Sequence, residues 1–107
     1  MRLPPNSTIA LSKIAQYLLR PRVQDDKSAF LALAGYRVAS ADSLLADLRE
    51  QILPLEAECI EVTEYGPKYR IRGTLVGPNG HTLRVVTIWM TDDATKLTKF
   101  ITLFPDR

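Results

Sequence analysis

Apolar residues recur at three- and four-residue intervals through the first half of this chain and at every second position through the rest. The first spacing marks helices and the second strands. Ser12 is placed to cap a helix from Lys13 to Leu19, with Ile14, Tyr17 and Leu18 on one side and Pro21 closing it. Asp25 or Asp26 is placed to cap a second, from Lys27 to Ala34, with Phe30, Leu33 and Ala34 inward and Gly35 as terminator. Ser40 opens the clearest helix, where Leu44, Leu45, Leu48 and Ile52 form a stripe that Pro54 ends, and Asp42, Asp47, Arg49 and Glu50 lie opposite.

From Glu56 the period is two. Ile60 and Val62 alternate with Cys59, Glu61 and Thr63, and Tyr69, Ile71 and Leu75 alternate with Lys68, Arg70, Arg72 and Thr74. Gly77-Pro78-Asn79-Gly80 supplies turn chemistry before a third strand, Thr82 to Met90, and a fourth follows from Leu97 to Phe104. Helices over 12–53 followed by a meander over 56–105 predict a single α+β domain across 1–107, its two or three helices packed on one face of a four-stranded antiparallel sheet. A four-residue turn would pair Val76 with His81. Lys68, Arg70 and Arg72 would then share the outer face with Trp89, Thr87 and Val85, while Tyr69 and Ile71 met Ile88 and Val86 under the helices. A one-residue bulge would move Trp89 and Thr87 to the core.

At 107 residues with 46% hydrophobic and 24% charged side chains, the composition is that of an ordinary globular domain. The lone Cys59 excludes an internal disulfide and reads as a small half-buried side chain in a reducing, cytoplasmic protein. The longest apolar runs fall well short of the roughly 20 residues of a membrane span, and the first residues lack the apolar core of a signal peptide. The net charge of +2 conceals opposing blocks: +4 over 1–39, −6 over 40–64, +4 over 65–91 and zero over 92–107. Local potential of this kind steers partners more than net charge does.

A row of cations beside an aromatic ring is what single-stranded nucleic acid requires, with phosphates on the cations and unpaired bases on the ring. The same cations could offset charge developing on phosphorus during RNA cleavage. Lys27, Tyr65, Lys68 and Glu61 are the candidate acid–base groups, whereas His81 falls at a hairpin tip and reads as solvated. Asp92-Asp93 reads as turn chemistry. No phosphate-binding glycine loop, serine elbow or zinc motif is present, so neither a cofactor nor a metal is expected.

Tyr17-Leu18-Leu19-Arg20-Pro21, Lys27-Ser28-Ala29-Phe30, Thr63-Glu64-Tyr65-Gly66-Pro67-Lys68-Tyr69, Gly77-Pro78-Asn79-Gly80 and Val86-Thr87-Ile88-Trp89 together resemble a family of small bacterial domains of unknown function. Its members stand alone, beginning near Met-Arg-Leu-Pro, or form the C-terminal segments of polymorphic toxins. The resemblance implies a nuclease and a fold similar to the barnase/EndoU/RelE-like ribonucleases. It implies metal-independent RNA cleavage by the ribose 2′-hydroxyl, with Lys27, Lys68 and Arg70 on the phosphate, Tyr65 or Thr87 positioning it, Trp89 stacking on a base, and a small antitoxin- or immunity-like protein covering the basic face; Arg72, from the alternating cations of the strand, joins Arg70 and Trp89 as a substrate-binding candidate. Where many members carry His-Pro-x-Gly, this chain has Arg22-Val23-Gln24-Asp25-Asp26, so a catalytic histidine there would be missing. Three functions therefore stand open: a toxin-like ribonuclease or its derivative, a non-catalytic module binding RNA or a protein, and a structural component.

Overall fold

The stripe predicted for the third helix is buried as expected. Leu44, Leu48 and Ile52 are fully enclosed in the computed structural model, which describes residues 1–20 and 27–106. Helix α1 (Leu11–Lys13) widens into a π turn (Ile14–Leu18), α2 spans Ser28–Ala32, and α3 (Ala41–Asp47) widens into a second π turn (Leu48–Ile52). The wide turns close through bonds from Leu19 N–H to Ile14 O (3.0 Å) and Leu53 N–H to Leu48 O (2.9 Å). Ala10, not Ser12, precedes the first helix, and the Ser40 hydroxyl binds the backbone of Arg37 instead of capping α3. Gly35, at φ 92°, ends α2 in the left-handed region, as a helix terminator must. The inward residue of α2 is Leu31, fully buried, while Leu33 is 63% exposed. The predicted cap at Asp25 or Asp26 and stop at Pro21 lie outside the described residues.

Strands β1 (Glu58–Thr63), β2 (Gly66–Val76), β3 (Thr82–Thr91) and β4 (Thr98–Pro105) form one antiparallel sheet in the order β1-β2-β3-β4, giving the α+β class. The N-terminal segment lies against β4, with Thr8 N–H bonded to Thr98 O and Phe100 N–H to Thr8 O, each at 2.8 Å. The outer strand β1 extends past the helical layer. A bulge between Cys59 and Glu61 breaks its alternation, leaving Cys59 exposed and Ile60 and Val62 at 42% and 78% exposure instead of buried. A bulged, charged edge of this kind resists pairing with other strands.

The register of the central hairpin differs from the simple-turn expectation by one residue. Val76 pairs with Thr82, Ile71 with Thr87 and Tyr69 with Trp89. The loop takes in His81 because Asn79 is committed elsewhere: its side-chain amide donates to Leu33 O (3.1 Å) and its backbone N–H to Ala34 O (3.3 Å) at the end of α2. Docking on those helix-terminal carbonyls lengthens the loop and slips the pairing. Thr87 and Trp89 therefore point into the core, both fully buried. There the indole N–H donates to Thr87 Oγ1 (2.8 Å), which donates to Ile71 O (3.0 Å), and the Trp89 ring meets Phe100 edge-on at 5.3 Å.

Tyr36 ties the helices to the hairpin. Its buried hydroxyl donates to Asp47 Oδ2 (2.6 Å), and burial together with that carboxylate pushes its pKa far above the ordinary phenol range. Tyr36→Phe is expected to cost about 1–2 kcal/mol in urea unfolding. Because the folded-state value is raised, this stability is complete below about pH 10 and declines as pH rises above it. A wild-type protein as resistant to alkali as Tyr36→Phe would contradict that account.

Candidate nucleic-acid interface

Alternation along the strands sends Lys68, Arg70 and Arg72 to the sheet face away from the helices. In the observed register they stand beside Met90, Ile88 and Val86 of β3, followed by Lys99, Thr102 and Phe104 of β4. Strands lie about 4.8 Å apart, so the two flanks are separated by about 10 Å across an apolar central strand. Thr87 and Trp89, expected on this face, are beneath the sheet and cannot touch anything bound to it. The exposed ring in their place is Phe104, at 39% exposure.

The β2 cations are partly neutralised by neighbouring acids. Arg70 donates from Nε and Nη2 to one oxygen of Glu58 at 2.8 and 2.7 Å, Lys68 lies 3.9 Å from Glu61, and Arg72 lies 4.0 Å from Asp106. A shallow cleft of about 260 Å³ between Glu56, Glu58, Arg70 and Arg72 accordingly carries both signs of charge. Exposed pairs of this kind contribute at most about 1 kcal/mol each, and their acids compete with any incoming phosphate.

The opposite flank is built from lysines. Lys27 Nζ donates to Thr102 Oγ1 at 2.8 Å and lies 5.3 Å from the centre of the Tyr17 ring. Lys13 Nζ donates to the carbonyl of Ile101, the residue added to β4 by a bulge opposite Ile88 and Trp89, at 2.9 Å. Burial, then Lys99, then Lys27 hold the Lys13 ammonium below the usual lysine pKa range. Lys13 and Lys99 escaped notice in the sequence because no local motif links a lysine of the first helix to one of the last strand.

The remaining candidates are dispersed. Tyr65 is 65% exposed in the β1–β2 turn, where its carbonyl accepts from Asp93 N–H (2.9 Å). Lys27 sits at the other side of the sheet, so Lys27, Tyr65, Lys68 and Thr87 do not converge on one point. His81 is exposed at the hairpin tip. Asp92 closes its own turn, accepting from Ala94 and Thr95 N–H at 2.7 and 3.2 Å. Among the described residues no helix is long and apolar enough to cross a membrane.

The fold is an α+β domain with an open antiparallel sheet face that carries cations on both sides of an apolar strand. The chain belongs to the family described as "Domain of unknown function (DUF6883)", which matches residues 5–107. Neither a curated protein nor a solved structure matches it.

Proposed function

We propose that this protein binds single-stranded RNA on the open face of its sheet and does not cleave it. The carrying observation is the pair of cationic flanks about Met90 and Ile88, with Lys68, Arg70 and Arg72 on β2 and Lys27, Lys99 and Thr102 at β4. Phosphates follow the flanks, and Phe104 offers a surface for an unpaired base. Binding without cleavage accounts for the dispersal of the named catalytic candidates and for the enclosure of Thr87 and Trp89. In this reading the protein derives from a toxin-like ribonuclease, and a small neutralising protein would compete for the same face.

A second reading, metal-independent cleavage, draws support from the three lysines gathered at Ile101 and Thr102, since clustered ammonium groups offset charge developing on phosphorus. One titration separates the two. Purified protein is mixed with a short single-stranded RNA in excess chelator, affinity is followed against salt, and the RNA is then sized. The expected result is intact RNA with log K falling against log salt at a slope of about −2 to −3, as three or four phosphate contacts require. Discrete fragments, lost in Lys68→Ala, would replace this with the ribonuclease reading; salt-independent binding or none would remove both.

A further inference from the structure

The N-terminal segment and the wide turn that follows α3 enclose a cleft of about 320 Å³, lined by Arg2, Leu3, Pro5, Arg49, Leu53 and Pro54. Leu3 and Leu53 belong to the buried core cluster, and with the two prolines they make most of the lining apolar. Both polar members are arginines, and no carboxylate lines the cleft among the described residues. Glu56 lies 3.8 Å from Arg2 Nε but is held closer, at 2.6 Å, by the Met1 ammonium, and it forms part of the separate cleft beside Arg70 and Arg72. Arg49 makes no ion pair among the described residues. Its Nη1 and Nη2 donate instead to the carbonyls of Pro5 and Ser7, each at 3.0 Å.

We propose that this cleft binds a small organic carboxylate, its charged end on Arg49 and Arg2 and its apolar body against Leu3, Pro5, Leu53 and Pro54. Two neutral carbonyls fix the Arg49 guanidinium in place without discharging it. A guanidinium has five N–H donors in a planar fork, so Nε–H and others are left for an anion. The walls are preformed. The Ser7 hydroxyl donates to Pro4 O at 2.6 Å, and Thr8 is bonded through its backbone to Thr98 and Phe100 of β4, so the N-terminal segment is anchored on both sides of the Arg49 contacts. A site that needs no ordering on binding loses less of its interaction energy. The volume is near the lower end of the roughly 300–1,000 Å³ of small-molecule sites, which suits one ring or a short branched chain. A charge-assisted hydrogen bond beside apolar walls is stronger than one in open water. An inorganic anion would leave those walls uncovered, and a neutral ligand would leave the guanidinium without a counter-charge.

The cleft shares no residue with the outer sheet face, so this site is independent of RNA binding. Benzoate, phenylacetate and isocaproate are titrated separately into the full chain while its methyl resonances are followed by NMR, with benzamide and inorganic phosphate as controls. The Leu3 and Leu53 methyls are expected to shift and saturate with at least one carboxylate at a Kd of about 1 mM, as befits ligands of this size, while Met90 and Ile88 stay in place. Benzamide and phosphate are expected to bind at least about tenfold more weakly. Arg49→Gln is expected to weaken the carboxylate more than about tenfold. Because that change also releases Pro5 and Ser7, Arg2→Gln is the second variant; Arg2 is exposed, and a loss of about threefold with unfolding unchanged is expected. No response of Leu3 and Leu53 to any of the three carboxylates overturns the site. Equal binding of benzamide and benzoate, or wild-type affinity in both arginine variants, overturns the recognition of an anion there. Shifts at Met90 and Ile88 in place of Leu3 and Leu53 would put the carboxylate on the sheet face and overturn it equally.

Discussion

Trp89→Ala is expected to destabilise the protein by about 3–5 kcal/mol, the range for removing a fully enclosed large aromatic side chain from a core. At roughly 4 °C per kcal/mol, Tm would fall by more than about 12 °C. The indole is the largest fully buried side chain among the described residues and spans the sheet, with Tyr69 on one neighbouring strand and Phe100, 5.3 Å away edge-on, on the other. It also carries a donor whose acceptor, Thr87 Oγ1, has no contact with solvent. Thr87→Val, which keeps the shape and removes that acceptor, is expected to cost about 1–3 kcal/mol because the indole N–H is then buried unpaired. Urea unfolding followed by far-ultraviolet circular dichroism reads both changes. A folded Trp89→Ala protein of near wild-type stability that had lost RNA affinity would return Trp89 to the binding face and contradict the register.

Gly66→Ala is the second large effect. Gly66 has φ 140°, and a Cβ there would overlap the carbonyl oxygen of Thr91 and lie 3.1 and 3.2 Å from Thr91 C and Asp93 N. The side chain therefore meets backbone on β3 and the loop beyond it, neither of which can yield as a flexible side chain can. Backbone strain alone accounts for about 1–3 kcal/mol, and relieving the overlap requires the β1–β2 turn to lift from β3, so a loss of about 3 kcal/mol or more is expected. The turn is held by the bond from Asp93 N–H to Tyr65 O and by the Thr63 hydroxyl donating to Gly66 O at 2.7 Å. Amide exchange in β1 is expected to accelerate more than in β3. A Gly66→Ala protein within about 0.5 kcal/mol of wild type would show that the turn is not anchored in this way.

Both sites bear on what could be read before the structure. The stripe of Leu44, Leu48 and Ile52 and the alternation through β2 are local patterns, and they specify the α+β arrangement because each depends only on which face a residue occupies. The register is not local. Pro78-Asn79-Gly80 is compatible with four- and five-residue loops, and the choice falls to Asn79, whose bonds to Leu33 O and Ala34 O exist only once α2 has packed beside the hairpin. That single residue moves Thr87 and Trp89 from a binding face to the core. The exposure of Ile60 and Val62 has the same origin, since a bulge and the limited reach of the helical layer decide it. Lys68, Arg70 and Arg72 do lie on the outer face, as alternation required. Their carboxylate neighbours could be guessed only in part, from the acidic block over 40–64, because Asp106 arrives from the far end of the chain. Lys13 and Lys99 meet through tertiary packing alone, and in the sequence each is simply another lysine.

These placements converge on one claim, that the sheet face away from the helices carries the ligand. Methyl NMR of the protein with a short single-stranded RNA tests it most directly, because β3 presents methyl groups alternately to the two sides. Met90 and Ile88, the accessible outward pair, are expected to shift with bound RNA, accompanied by Thr102 on β4, while Leu44, Leu48 and Val85 on the helical side remain in place. Shifts confined to the helical side, or to the exposed β1 residues Ile60 and Val62 with the outward β3 methyls unmoved, would contradict it.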